Sequence, residues 1–127
     1  MANLSHLNRI LVVEDEALIL LDLQQTLEDA GVRDVIITAT TEEAMAAIDA
    51  HGFDAAVLDL HLGRSGWSYD IAHTLQAIGV PFVFSSGSAE VADGFRHVPL
   101  ITKPFSEEQM IAALLQVTAE DAQQAAQ

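Results

Sequence analysis

Residues 9–15 read RILVVED, a run dominated by Ile, Leu and Val that ends in the two carboxylates Glu14 and Asp15. The apolar run from Arg9 to Val13 is typical of a β-strand covered on both faces. Four similar runs follow at intervals that leave room for a helix between successive runs. They cover Asp34 to Thr38, Ala55 to Leu60, Pro81 to Ser85 and Val98 to Thr102.

The segments between these runs have the composition and periodicity of helices. Thr40 and Glu43 have the spacing of a capping box at the start of the second segment. The predicted helices cover Ala17 to Ala30, Glu42 to His51, Ser68 to Ile78 and Glu107 to Val117, with a weaker segment from Ala89 to Gly94. This alternation predicts an α/β fold, an open five-stranded parallel sheet with helices on both faces.

The length of 127 residues is that of one domain. We expect a single domain over residues 1–127, with a core at about 8–118 and a frayed Ala/Gln-rich tail at 119–127. This length leaves no room for an effector domain beside it, so we expect the protein to act through contacts with other proteins, as a monomer or a weak dimer.

The charge is strongly acidic, with 19 Asp and Glu against 5 Lys and Arg and a formal net charge of −14. Such a chain repels the phosphates of nucleic acid and anionic lipid surfaces, so neither is an expected partner. No stretch approaches the roughly 20 apolar residues of a membrane span, and the amino terminus lacks the apolar run of a signal peptide. The sequence has no Cys, and we expect a cytoplasmic protein.

The polar residues that could carry chemistry follow the predicted strands. In open parallel sheets, ligands bind beyond the carboxyl ends of the strands. The residues at those ends are Glu14 and Asp15, Asp59, Ser85 and Ser86, and Lys103. Because clustered carboxylates repel one another, they predict a bound cation, and ligands that are all oxygen favour Mg²⁺. An Asp beside Mg²⁺ is a competent nucleophile towards phosphorus, and Lys103 could neutralise the transferred group.

Four segments in this order, ILVVEDE, VLDL ending near Asp59, FSSG and TKPF, resemble the signature segments of the response-regulator receiver family. The resemblance covers roughly residues 8–118. It implies a flavodoxin-like sheet in the order 2-1-3-4-5, Mg²⁺ dependence and often a cis bond before the proline, here Lys103-Pro104. It also implies phosphate supplied by a histidine kinase or a phosphotransfer protein. Such a protein catalyses only its own phosphorylation and dephosphorylation and is not a turnover enzyme.

Carried over residue by residue, the resemblance makes Asp59 the phospho-acceptor and Asp15 a direct Mg²⁺ ligand. Glu14 completes the acidic pair, binding the metal directly or through water, and His61 offers its backbone carbonyl to it. Lys103 contacts the phosphoryl group. Ser86 is favoured over Ser85 as the switch hydroxyl because a small residue follows it, although a shift of one residue would exchange the two.

Several positions depart from the common pattern of the family. Gly63 stands where many receivers have a proline, which predicts a more mobile loop, and Leu100 replaces the usual switch aromatic, so signalling is expected to take another route. Trp67 and Tyr69 could form a docking patch, but packing against a helix is the commoner role of such aromatics and is what we expect. Phe95 could be a mobile residue of the output face or an ordinary core residue. The five His residues show no metal-ligand spacing.

Two other functions remain to be weighed. A phosphatase of the haloacid-dehalogenase type also uses an Asp nucleophile with Mg²⁺, but it resembles DxDx[TV], and here His61 stands at the second Asp. A degenerate receiver that only docks partners would lack the acceptor, the acidic pair or the lysine, and all of these are present.

Overall fold

The computed structural model describes residues 3–88 and 91–126, with side chains described up to 119 except that of residue 93. Five parallel strands form one open sheet in the order β2-β1-β3-β4-β5, which confirms the predicted order. The strands are β1 (Arg9–Val13), β2 (Asp34–Thr38), β3 (Ala55–Asp59), β4 (Phe82–Ser86) and β5 (Leu100–Thr102). The helices are α1 (Ala17–Asp29), α2 (Thr41–Ala50), α3 (Tyr69–Ile78) and α4 (Glu107–Ala126).

Helices cover both faces of the sheet, and each face has its own apolar cluster. Alternate residues of one strand contribute to different clusters, as the pleat requires. Leu58 and Phe84 pack against α2 and α3. Val57 and Val83 pack against α1 and α4 on the other face. The near-continuous apolar runs of the sequence therefore follow from a sheet that is buried on both sides.

The helix predicted from Ala89 to Gly94 is wrong within the described residues of that segment. Residues 89 and 90 of that segment lie outside the described residues, and Asp93–Phe95 forms a single 3₁₀ turn. Backbone N–H groups of Phe95 and Val98 close it by donating to the carbonyls of Ala92 and Phe95. Gly94 disfavours a longer helix, and Val91 and Asp93 are weaker helix formers than the Ala and Glu residues beside them.

The buried core begins earlier than predicted, and the last helix continues past the predicted end of the core. Leu4 and Leu7 are buried at the amino end, and the Leu4 N–H donates to the Ala30 carbonyl at 2.8 Å. At the other end, α4 continues to Ala126, through most of the tail for which fraying stays a prediction. The Ala, Glu and Gln residues that made this tail look unstructured also have high helix propensity.

The start of α2 confirms the predicted capping box. The Glu43 N–H donates to Thr40 Oγ1 at 3.1 Å. The Glu43 carboxylate reaches back to the N–H of Ala39 at 2.7 Å, one residue earlier than the usual arrangement. This cap fixes the chain directly after β2, beside the sheet edge where the candidate site lies.

Candidate functional site

Three strand ends bring the charged site residues together. Glu14 follows β1, Asp59 ends β3 and Lys103 follows β5. The Lys103 Nζ lies 2.9 Å from Glu14 Oε2 and 3.3 Å from Asp59 Oδ2. Because β4 stands between β3 and β5, the lysine side chain crosses β4 to make both contacts. Lys103 is the only lysine in the sequence, and the peptide bond that follows it, before Pro104, is cis.

Asp15 completes a cluster of carboxylates with Glu14 and Asp59. One oxygen from each of the three lies within 4.8 Å of the other two. Glu14 is fully buried, Asp59 is 5% exposed and Asp15 is exposed. When all are ionised, three carboxylates and one ammonium carry an excess of two negative charges, which one divalent cation would neutralise. An all-oxygen donor set with an accessible side is what Mg²⁺ prefers, so the residues fit that ion.

The electrostatics of the cluster are most visible at Asp59. Burial, then the charge of Glu14 and a hydrogen bond with it, raise the pKa of Asp59 from 3.8 to about 7, although Lys103 acts in the opposite direction. Burial alone would lower the pKa of Lys103, but its contacts with Glu14 and Asp59 outweigh burial and raise that pKa above its usual value. Without a cation, Asp59 is therefore partly protonated near neutral pH.

Glu14 has a structural role that the sequence did not reveal. Its Oε1 accepts a hydrogen bond from the N–H of Glu16 at 3.1 Å, at the turn that leads into α1. Its buried Oε2 is the atom that meets the Lys103 ammonium. Glu14 is thus the inner member of the acidic pair and Asp15 the outer one, and this difference in depth could not be read from adjacent letters.

The two serines at the end of β4 occupy different environments. Ser85 pairs in register with Asp59, so its side chain lies on the same face of the sheet. It is fully buried, and its hydroxyl has no hydrogen-bond partner among the described residues. Ser86 is 7% exposed, and its Oγ accepts from the N–H of Ser88 at 3.1 Å. Its carbonyl accepts from the Lys103 N–H at 2.8 Å.

The loop after β3 is a closed turn. Leu62 N–H donates to the Gly66 carbonyl at 2.7 Å, and Gly66 N–H returns a bond to Gly63 at 3.0 Å. An isolated antiparallel bridge pairs His61 with Trp67. Gly63–Ser65 forms a 3₁₀ turn between them. These hydrogen bonds close the loop, and the greater mobility predicted from the missing proline stays a prediction.

His61 faces the site with its backbone rather than its ring. Its N–H donates to Asp59 Oδ1 at 3.4 Å. Its imidazole packs edge-on against the indole of Trp67, with ring centroids 4.9 Å apart. Among the described residues, the cluster that could hold a metal consists of carboxylates alone.

The aromatic residues near this loop divide between surface and core. Trp67 is 57% exposed and stands before α3, so it does not pack a helix in the way that the sequence favoured. Tyr69 is half-buried at the first position of α3 and stacks on Phe95. Phe95 is 2% exposed, which supports the core reading over the mobile one. Leu100 is half-buried against the same cluster.

Within the described part of the chain, no helix is both long and apolar enough to cross a membrane.

Comparison with known proteins places this geometry in a family. The model of the response regulator receiver domain matches residues 10–115. The transcriptional regulatory protein YvrH of Bacillus subtilis (strain 168) is 31% identical over 112 residues, which cover 83% of this chain and 46% of that protein. The chain therefore spans less than half the length of that relative.

Two solved structures of similar sequence also have a similar fold. The solution structure of SdrG from Sphingomonas melonis Fr1 shares 36% identity with a TM-score of 0.76, over 90% of this chain and 98% of that one. The crystal structure of the response regulator PhyR from Brucella abortus shares 30% identity with a TM-score of 0.80, over 93% of this chain and 51% of that one. The family match, the strand order and the clustered acids at the sheet edge agree, and the chain belongs to the response-regulator receiver domain family.

Proposed function

We propose that this receiver domain accepts a phosphoryl group on Asp59 in a Mg²⁺-dependent reaction. The donor is a histidine kinase or a histidine phosphotransfer protein, and the signal is a change in contacts with other proteins. The observation that carries the proposal is the position of the Lys103 ammonium. It lies 2.9 Å from Glu14 and 3.3 Å from Asp59, where it balances part of the charge of three clustered carboxylates.

The transfer requires little covalent chemistry from the protein. An Asp59 carboxylate oxygen attacks phosphorus, a P–O bond forms, and the P–N bond to the donor imidazole breaks. The imidazole leaves neutral, with a proton on its other nitrogen. Asp59 must be deprotonated to attack, and the burial that raises its pKa to about 7 also limits the water around it. The acyl phosphate forms at the end of β3, at the sheet edge.

The neighbouring residues supply alignment and charge. Asp15, Asp59 and the backbone carbonyl of His61 would hold Mg²⁺, with Glu14 acting directly or through water. When bound, Mg²⁺ neutralises charge on the phosphoryl oxygens. Lys103 changes partner from the Asp59 carboxylate to a phosphoryl oxygen, a charge-assisted contact of the kind that ammonium groups make with phosphate. It keeps Glu14 as its second partner.

Ser86 is the hydroxyl that we assign to the phosphoryl group. It stands at the last position of β4, where its side chain retains some exposure, whereas Ser85 is fully buried one residue earlier. The Lys103 N–H already bonds the Ser86 carbonyl, so a movement of Ser86 is transmitted directly to the start of the segment after β5. Phosphorylation adds a charge of about −1.5 to −2 at this point, which biases the surrounding loops between two arrangements.

Phosphoryl uptake is the direct test. Incubation of the full chain with Mg²⁺ and a small phosphodonor such as acetyl phosphate should increase the intact mass by one phosphoryl group. Asp59→Asn should abolish the increase, and Asp54→Asn, an aspartate at the opposite end of the same strand, is the matched control that should retain it. An undiminished mass increase in Asp59→Asn would refute the assignment of the acceptor.

The phosphatase alternative and the docking alternative predict different outcomes. A haloacid-dehalogenase-type phosphatase would turn over a phosphomonoester, and we expect none because His61 is packed against Trp67 in the place of its general acid. A receiver that only docks partners would not bind fluoroberyllate, whereas we expect Mg²⁺-dependent binding of this phosphoryl mimic. Binding of the mimic in Asp59→Asn at wild-type affinity would contradict the proposal.

A further inference from the structure

Gly63 leaves space that Asp15 occupies. The glycine has φ +55°, and a Cβ placed on it would lie 2.8 Å from Asp15 Oδ2. Carbon and oxygen atoms that are not bonded do not approach so closely, so any side chain at this position would collide with the carboxylate. Gly66 lies in the same turn at φ +79°, but a Cβ there would meet nothing within 4 Å.

The collision would be relieved by movement of Asp15. The backbone of Gly63 is held by the hydrogen bond from Gly66 N–H to its carbonyl at 3.0 Å, inside a turn closed by Leu62 and Gly66. Asp15 is the exposed member of the carboxylate cluster, and its oxygen is the free end of a side chain. Rotation of Asp15 costs less than distortion of the turn, and it would carry the carboxylate away from Glu14 and Asp59.

We propose that Gly63 is a positioning residue for the divalent-cation site, because the lack of a side chain at this position leaves room for the Asp15 carboxylate. It keeps Asp15 within 4.8 Å of the other two carboxylates. This inference rests on the proposed function only in that the cluster binds a divalent cation. It gives a role to the position at which many other receivers have a proline.

The test compares Gly63→Ala with Gly66→Ala by isothermal titration with Mg²⁺. Both substitutions place Ala at a positive φ, and the backbone cost is greater at Gly66, whose ψ is −149°. A larger effect of Gly63→Ala on Mg²⁺ binding would therefore come from the contact with Asp15. We expect Gly63→Ala to weaken Mg²⁺ binding about 10-fold or more, as changes that misplace a ligand do, and Gly66→Ala to change it less than about 2-fold. Equal affinities of wild type and Gly63→Ala would overturn the inference.

A second measurement, of the unfolding midpoint, keeps the inference testable if Gly63→Ala is too unstable for the Mg²⁺ titration. In metal-free protein, Asp15→Ala removes the colliding carboxylate, so Gly63→Ala should lower the unfolding midpoint less in that background than in wild type. An unchanged effect would also overturn the inference. If wild type itself binds no Mg²⁺, the proposed function fails instead, and the stability comparison still reports on the contact between the two residues.

An independent observation concerns an aromatic row formed by His61, Trp67, Tyr69 and Phe95. The ring centroids of successive members lie 4.9, 5.9 and 5.4 Å apart, and the last two pairs are stacked at 18° and 15°. The row begins two residues after Asp59, whose Oδ1 accepts the His61 N–H. It ends in the 3₁₀ turn before β5.

Tyr69 is the junction of this row. Its ring stacks on Phe95, and its hydroxyl accepts the N–H of Ala92 at 2.8 Å, so one side chain contacts the segment before β5 at two points. We infer that the aromatic row carries the phosphorylation signal from the loop after β3 to residues 91–98, in the absence of an aromatic at Leu100. The inference rests on phosphorylation or its mimic acting at Asp59.

The test uses fluoroberyllate with Mg²⁺ and amide hydrogen exchange. In wild type, the mimic should change exchange in residues 91–98 and shift the emission of Trp67, which is the only tryptophan. Tyr69→Leu should still bind the mimic, within about 3-fold of the wild-type affinity, but lose the exchange response in 91–98. Phe53→Leu, an aromatic of the same core cluster outside the row, is the control that should keep the response.

Two results would overturn this second inference. One is an exchange response in residues 91–98 that persists in Tyr69→Leu, and the other is a wild type that binds the mimic without any response there. A wild type that does not bind the mimic would instead refute the proposed function, and the inference about the aromatic row would fall with it.

Discussion

The carboxylate cluster and the aromatic row begin within two residues of Asp59, but they are encoded in different ways. The cluster is drawn from the ends of strands, where the order of a parallel sheet places polar residues together. The aromatic row is drawn from one loop, one helix start and one 3₁₀ turn, whose approach depends on packing. The positions of the charged residues therefore follow from the strand order, and the positions of the aromatic rings follow from local packing contacts.

The difference extends to energetics. The cluster holds buried like charges, which destabilise the metal-free protein and favour a state in which a cation or a proton is bound. The aromatic row consists of stacked rings with one hydrogen bond, which stabilise by small increments. If this contrast is correct, changes in the cluster should produce large effects that depend on pH and Mg²⁺, and changes in the row should produce small effects that do not depend on Mg²⁺ alone.

The largest effect should come from pH. Burial raises the folded-state pKa of Asp59 from 3.8 to about 7, so the folded protein holds this proton more tightly than the unfolded chain. The resulting stabilisation is present below pH 4 and is lost as the pH rises through 7, by up to about 4 kcal/mol. Urea unfolding of metal-free wild type and Asp59→Asn at pH 4 to 8 should show this loss in wild type alone.

Mg²⁺ provides the control for that titration. Because the cation competes with the proton for Asp59, saturating Mg²⁺ should restore stability most at pH 8 and least at pH 5. Equal restoration at both pH values, or a stability of wild type that does not fall relative to Asp59→Asn above pH 5, would contradict a buried and protonatable acceptor.

The next largest effect should come from Lys103. Lys103→Met keeps most of the side-chain volume but leaves Glu14 buried without its ammonium partner, and we expect a loss of about 2 to 4 kcal/mol in the free energy of unfolding at pH 8. The double variant with Glu14→Gln should recover most of it, because the unpaired charge is gone.

Arg9→Met is the matched control for this prediction. The Arg9 Nε lies 2.6 Å from Asp34, but both side chains are more than a third exposed, so solvent screens the pair. We expect a loss below about 1 kcal/mol. A loss as large as that of Lys103→Met would show that burial is not what distinguishes the cluster.

A smaller effect should appear as a gradient along the aromatic row. Phe95 is 2% exposed and contacts the rings of Tyr69 and Phe84, so Phe95→Leu should lower the free energy of unfolding by about 1 to 2 kcal/mol. Trp67 is 57% exposed, and Trp67→Leu should cost less than about 0.5 kcal/mol. Both losses should be the same with and without Mg²⁺ at pH 8. A loss that varies with Mg²⁺ alone would mean that the row responds to the cation as well as to the phosphoryl group.

The limits of sequence prediction follow the same division. The bounds of β1 and β2 were predicted to the residue, because apolar runs between polar ends leave little choice, and Asp59, Glu14, Asp15 and Lys103 followed from those ends. The turn at Asp93–Phe95 was predicted as a helix, because local composition does not reveal that Phe95 is buried among rings from α3 and β4. The contact between Gly63 and Asp15 joins loops 48 residues apart and leaves no periodic signal.

The smallest effect should come from restoring an aromatic at Leu100. This residue is half-buried at the start of β5, against the cluster that contains Phe84 and Phe95, so Leu100→Phe should change the free energy of unfolding by less than about 1 kcal/mol. If the aromatic row already connects Asp59 to residues 91–98, the exchange response to fluoroberyllate should be the same as in wild type. It should still be lost when Tyr69→Leu is added. A response that survives in the double variant would show that a ring at position 100 can replace the row, and that the two routes are alternatives on one surface.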